Sequence, residues 1–184
     1  MKYTFEGEGP YIGKKTVLFD WNNIDDKDNI YVGLLYETEF KAQNIYISSN
    51  ILDEELRRVL IKLSDKYQVT LELIKCYNYL YQEIPNVIQF INTTDKSISF
   101  TNDFNGAYIK IEVKNVKELQ TKIELANWYQ EMYPIEILLM PVFNEPGCNW
   151  KDKFEIGQIM MTHIDKLNNN IRFMPPIQQI IDIP

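Results

Sequence analysis

Two cysteines, one histidine and seven glycines are all that these 184 residues contain of three chemically versatile residue types. Each shortage removes a class of chemistry. Cys76 and Cys148 stand far apart, no CxxC occurs, and His163 is the single imidazole. A structural zinc site takes four thiolate or imidazole ligands, and an iron–sulfur cluster takes grouped thiolates. Neither set can be assembled here. The two thiols read as buried and inert, since free cysteine behaves as a small hydrophobe. A long apolar run is missing as well. The best one, residues 135–143, is interrupted by Glu136 and Pro141 and falls far short of the ~20 residues of a spanning helix. The first twenty residues carry Glu6, Glu8 and Asp20 without an apolar core, so no secretory signal is visible. The expectation is a cytoplasmic protein with no membrane partner, in which a disulfide would be out of place.

Positive charge is also in deficit. Net charge is −7, and the basic residues are scattered, touching only in pairs such as Lys14-Lys15 and Arg57-Arg58. Nucleic-acid affinity rests largely on Lys and Arg contacts to phosphates, so nucleic acid is not the expected partner. What the chain has in quantity is aromatic and apolar matter. Twelve tyrosines and 45% hydrophobic residues support one folded domain over residues 1–184 with a substantial core.

Periodicity divides the chain into alternating strands and helices. Residues 15–19, 45–48, 69–74, 87–91, 97–100, 107–113, 135–140 and 171–174 read as strands, short β-branched runs bounded by polar turns. Residues 22–29, rich in Asp and Asn, read as a loop, and 30–36 as a strand or short helix. Asp53 suits a helix N-cap, ahead of an apolar stripe Leu56, Val59, Leu60 and Leu63 at helical spacing. A second helix is expected over 116–132 with Leu119, Ile123, Ala126 and Trp128-Tyr129 inward, and a third over about 152–167. This alternation predicts an α/β fold of parallel strands joined by helical crossovers.

Several single features have bland readings that outweigh the sharp ones. His163 sits on the third helix with no Ser, Cys or Asp placed to make it a triad base. The Asp25-Asp26-Lys27-Asp28 run lacks the Gly and the spaced Glu of a calcium loop, and reads as a solvated loop. Tyr77, Tyr79 and Tyr81 alternate as on one strand face, which is more often packing than a base-stacking platform.

Four landmarks carry a family resemblance. Glu6-Gly7-Glu8-Gly9-Pro10-Tyr11-Ile12-Gly13-Lys14, followed by Thr16-Val17-Leu18-Phe19, resembles the opening of 7-carboxy-7-deazaguanine synthases. These are radical-SAM enzymes of queuosine and deazapurine biosynthesis. Tyr108-Ile109-Lys110-Ile111-Glu112-Val113 is similar to their late strand with an internal Lys, and Leu138-Leu139-Met140-Pro141 to their LMP strand end. The closing Arg172-Phe173-Met174-Pro175-Pro176-Ile177-Gln178-Gln179 resembles their R-x-x-P-Q-x-H-K segment, with Gln178-Gln179 in place of His-Lys. The resemblance implies a truncated radical-SAM-like partial (β/α) barrel.

The departures decide what such a relative is expected to do. The family places its CxxxCxxC-type cysteines directly after the first strand, where this chain reads Asp20-Trp21-Asn22-Asn23-Ile24. Its Gly-Gly-Glu-Pro turn for SAM is replaced by Ser48-Ser49-Asn50-Ile51, and of Glu-Thr-Asn-Gly at most Glu72 remains. The resemblance therefore implies a non-catalytic relative without a cofactor. It would bind a pterin- or deazapurine-like molecule, pair as a homodimer, or pair with an active homologue. A structural or protein-interaction scaffold, for instance of a phage, is the alternative. Ligand contacts are expected from Glu6, Gly7, Glu8, Gly9, Glu72, Lys110 and Gln178. For Glu72 and Lys110, strand alternation leaves both faces open, and solvent is the favoured one. Turned inward, the Glu72 carboxylate would accept two parallel N–H bonds from a guanidine-like ring edge.

Overall fold

The structure, a computed structural model, describes residues 2–4, 16–36, 42–74, 76–100, 106–141, 158 and 171–173. Eight strands form one sheet: β1 (Lys2–Thr4), β2 (Thr16–Asp20), β3 (Asn44–Ser49), β4 (Gln68–Leu73), β5 (Val87–Asn92), β6 (Ala107–Val113), β7 (Glu136–Pro141) and β8 (Ile171–Phe173). They lie side by side in chain order. β1 pairs antiparallel to β2, and β2 through β8 are all parallel. Among the described residues the helices are α1 (Ile24–Leu35), α2 (Glu54–Ser64) and α3 (Val116–Met132), which cross between β2 and β3, β3 and β4, and β6 and β7. The α/β architecture with helical crossovers is therefore as expected, with an antiparallel edge strand in addition.

Strict sequential order gives the sheet two unlike faces. Odd-numbered strand residues face the helices and form one continuous core: Val17, Ile45, Ile47, Val69, Leu71, Ile109, Ile111, Ile137 and Leu139 are all buried. Against them α2 lays its expected stripe Leu56, Val59, Leu60 and Leu63, and α3 lays Leu119, Ile123, Ala126 and Tyr129. Even-numbered residues line the opposite face, described below.

Helix ends follow from local chemistry. The Asp53 carboxylate accepts from Leu56 N at 2.7 Å, with Glu54 and Glu55 in the first turn and Lys62 in the last. Acids at the start and a base at the end complement the helix dipole. Asn115 caps α3 by accepting from Glu118 N, and Glu118 reaches back to Lys114 N and to the Asn115 amide, a reciprocal cap. The loop from Thr93 to Phe100 is pinned to α3 by the buried Tyr129, which donates to Asp95 O and accepts from Ile98 N. At Gly106 the backbone turns with φ +71°, where a Cβ would stand 3.1 Å from Val87 O.

Two expectations are corrected. Residues 22–29 do not form a loop: they enter α1, because Asn23 accepts from Asp25 N and Asp26 N and so caps a helix. Side-chain oxygen at the N-cap and two acids in the first turn outweigh the Asp/Asn bias toward turns. The same helix absorbs residues 30–35, removing the strand alternative. Residues 97–100 form no strand, only an isolated bridge between Leu80 and Ser99. The helix expected over about 152–167 and its His163 lie outside the described residues, apart from Gln158, as does Cys148.

Candidate functional site

The face of the sheet away from the helices is polar at its centre. Register aligns Ser48, Glu72, Phe90, Tyr108 and Glu136 in one row across β3 to β7. The next row toward the strand ends holds Asn92, Lys110, Leu138 and Arg172. Within each strand the two-residue period puts alternate residues on one face, and the register brings the even-numbered positions of neighbouring strands onto the same one.

At the centre stands an ion pair. Lys110 Nζ lies 2.6 Å from Glu72 Oε1, with the side chains 5% and 12% exposed. The second carboxylate oxygen accepts from Tyr46 OH at 2.6 Å. Both residues were expected to favour solvent; both turn inward, and onto each other. The reason is that the odd positions of β4 and β6 are wholly apolar and claim the helix-covered core, leaving Glu72 and Lys110 to neutralise one another on the other side. Burial of either charge alone would be costly.

Beside this pair, Phe90 and Tyr108 pack with ring centroids 5.1 Å apart. Burial pushes the Tyr108 phenol up, with Glu136 adding to the shift, so it acts as a neutral hydroxyl. One row further, Asn92 Nδ2 donates to Glu112 Oε1 at 2.7 Å. At the edge Arg172 Nε meets Glu136 Oε1 at 2.8 Å. The face thus combines carboxylates, an ammonium, an amide and aromatic rings. Its polar groups can both donate and accept hydrogen bonds.

Of the expected ligand residues, Glu72 and Lys110 are brought together. Glu6, Gly7, Glu8, Gly9 and Gln178 lie outside the described residues. Tyr46, Asn92, Tyr108 and Glu112 were missed as site residues. The signal was present: a polar or aromatic residue at alternate positions of otherwise apolar strands marks a second, non-core face.

The residues after β2 do not suit an iron–sulfur cluster. Asp20 passes into α1 through Trp21, Asn22 and Asn23, held by Asp20 Oδ1 accepting from the Asn22 backbone and amide. Lys27 lies over the Trp21 ring at 4.4 Å and meets Glu55 at 2.6 Å. This turn offers no thiolate, the ligand such a cluster requires. Among the described residues no group of three or more His, Cys, Asp or Glu is placed to hold a metal ion. No described helix is long and apolar enough to cross a membrane.

The Tyr77, Tyr79 and Tyr81 series does not share one strand face. Tyr77 is exposed, whereas Tyr81 is buried and packs on Phe100 at 5.5 Å. Cys76, also buried, lies beside them, and burial pushes its thiol up to about 11. The Tyr79 phenol is pushed up to about 12, chiefly by burial. The folded state thus favours the protonated thiol, whereas the unfolded chain ionises it near pH 9. Stability from this source is complete below about pH 9 and lost as pH rises toward 11. Urea unfolding at about pH 8 and again at about pH 10.5 should show the loss, and Cys76→Ala should lessen it. An equal loss in the variant would remove Cys76 from the explanation.

Compared with protein-family models, curated proteins and solved structures, the chain matches none of them.

Proposed function

We propose that this chain is a non-catalytic, 7-carboxy-7-deazaguanine synthase-like protein that binds a pterin- or deazapurine-like molecule on the polar face of its sheet. The observation that carries the reading is Glu72, an inward carboxylate fixed by Lys110 and Tyr46 beside the Phe90–Tyr108 rings. Lys110 and Tyr46 hold the carboxylate in one orientation while each oxygen keeps a lone pair for a ring N–H. Half-buried Tyr108, packed on the fully buried Phe90, supplies the neighbouring ring surface. Without thiolates after β2, reductive SAM cleavage has no electron source, so the reading is binding rather than radical catalysis. Glu6, Gly7, Glu8, Gly9 and Gln178 belong to it by resemblance alone.

A thermal-shift series with carboxy-tetrahydropterin, the deazaguanine product and SAM tests it. At a hundred times its dissociation constant a bound ligand adds about 2.7 kcal/mol. The pterin or deazaguanine should raise the melting temperature, SAM should not, and Glu72→Gln should abolish the shift relative to its own ligand-free value. Silence from both ring compounds would refute the reading.

A scaffold role is the second reading. It is supported by a groove of about 610 Å³ between α1 and α2, lined by Tyr31, Leu34, Arg58 and Lys62 among others. Val32, Leu35 and Ile61 are exposed on the same two helices. Dimerisation, or pairing with an active homologue, would use such a surface.

A further inference from the structure

A second cavity, of about 560 Å³, opens at the carboxyl ends of β5 and β6 against the first half of α3. Ligands of parallel α/β sheets bind at this end of the strands, and the volume is that of a small-molecule site. Lys114, Lys117 and Lys122 line it, together with Glu112, Glu118 and the nearly fully buried Asn92. Thr94 adds a hydroxyl.

Three ammonium groups gathered in a chain of net charge −7 call for an anion. Glu118, which also lines the cavity, is turned to the α3 cap, accepting from Lys114 N and from the Asn115 amide, and offsets part of that charge without pairing with a lysine. Among the described residues none of the three lysines forms an ion pair. Glu112, by contrast, is oriented by Asn92 Nδ2 at 2.7 Å. A carboxylate held in this way repels an anion but accepts hydroxyl donors.

We infer that this cavity is a binding site for a phosphomonoester of a polyhydroxylated compound, with its phosphate on Lys114, Lys117 and Lys122 and its hydroxyls on Glu112. Phosphate and ammonium make charge-assisted hydrogen bonds, roughly twice as strong as neutral ones. The dianion also relieves the mutual repulsion of the lysines. The sugar side then falls against the carboxylate, so a free phosphate uses only half of the site. This site adjoins the ring-binding face proposed above and shares Asn92 and Glu112 with it, while Glu72, Lys110 and Tyr46 lie outside its lining.

Titration calorimetry of the full chain with ribose 5-phosphate, guanosine monophosphate, guanosine and inorganic phosphate tests the inference. Both phosphomonoesters should bind, and the Lys114→Gln/Lys117→Gln/Lys122→Gln variant should bind them about a hundredfold more weakly. Glu112→Gln should weaken ribose 5-phosphate while leaving inorganic phosphate unchanged. Unliganded melting temperatures of the lysine variant should match wild type, since these side chains are largely solvent-facing. No binding of either phosphomonoester, or equal binding by the lysine variant, overturns the site. Guanosine binding as tightly as its monophosphate also overturns it, yet leaves the ring-binding reading intact. Ribose 5-phosphate binding without any response to the pterin or deazaguanine supports this site and removes that reading.

Discussion

Lys110→Met is expected to lower the free energy of unfolding by about 3 kcal/mol, because it leaves the Glu72 carboxylate on a nearly closed face without its cation. The pair is 2.6 Å apart and the lysine is almost wholly buried. Taking one partner away exposes the full desolvation penalty of the other, whereas taking both away does not. The double variant Glu72→Gln/Lys110→Met should therefore recover to within about 1 kcal/mol of wild type. Urea denaturation of the four proteins in a double-mutant cycle gives the coupling directly. A loss below about 1 kcal/mol for Lys110→Met would mean that the pair is solvated and is no fixed feature of the site. If the double variant folds as well as wild type yet binds no ring compound, the pair is retained for recognition rather than for stability.

The second large effect lies on the opposite face of the same strand. Leu71→Ala should cost about 3–4 kcal/mol. Leu71 is fully buried in β4, with strands on both sides and the helix-covered core in front of it. The rigid sheet cannot collapse into the space left, so a cavity penalty adds to the lost transfer energy. Tyr46→Phe, on the polar face, removes the hydrogen bond to Glu72 and should cost about 1.5 kcal/mol. Chemical denaturation with an unchanged m-value reads both. Comparable losses for the two variants would contradict a sheet with one hydrophobic and one functional face.

How far these faces were legible can be followed residue by residue. The stripe Leu56, Val59, Leu60 and Leu63 spells out α2, and its Asp53 cap is found where expected, since helix periodicity and capping are local. The all-apolar odd positions of β6 likewise identify a buried strand. Residues 22–29 misled because Asp and Asn favour turns and caps alike. Only the hydrogen bonds of Asn23 to Asp25 N and Asp26 N distinguish the two. Glu72 and Lys110 were singled out as candidates, but their direction could not be read. Each sits in an alternating strand whose two faces are equivalent until it is known which face the helices cover.

Sequence by itself determined the local matters: the main strand and helix periods, the Asp53 cap, the absence of grouped thiolates, and the acidic balance. These depend on neighbours within a few residues, or on composition alone. Tertiary structure decided what lies together. Glu72 and Lys110 are 38 residues apart, and nothing in either strand names the other as partner. The sequential parallel order of β2 to β8 places α1, α2 and α3 on one side of the sheet, so the apolar odd face became the core. The charged and aromatic even face was thereby left as the place where Tyr46, Glu72 and Lys110 meet, because burial forces opposite charges to pair.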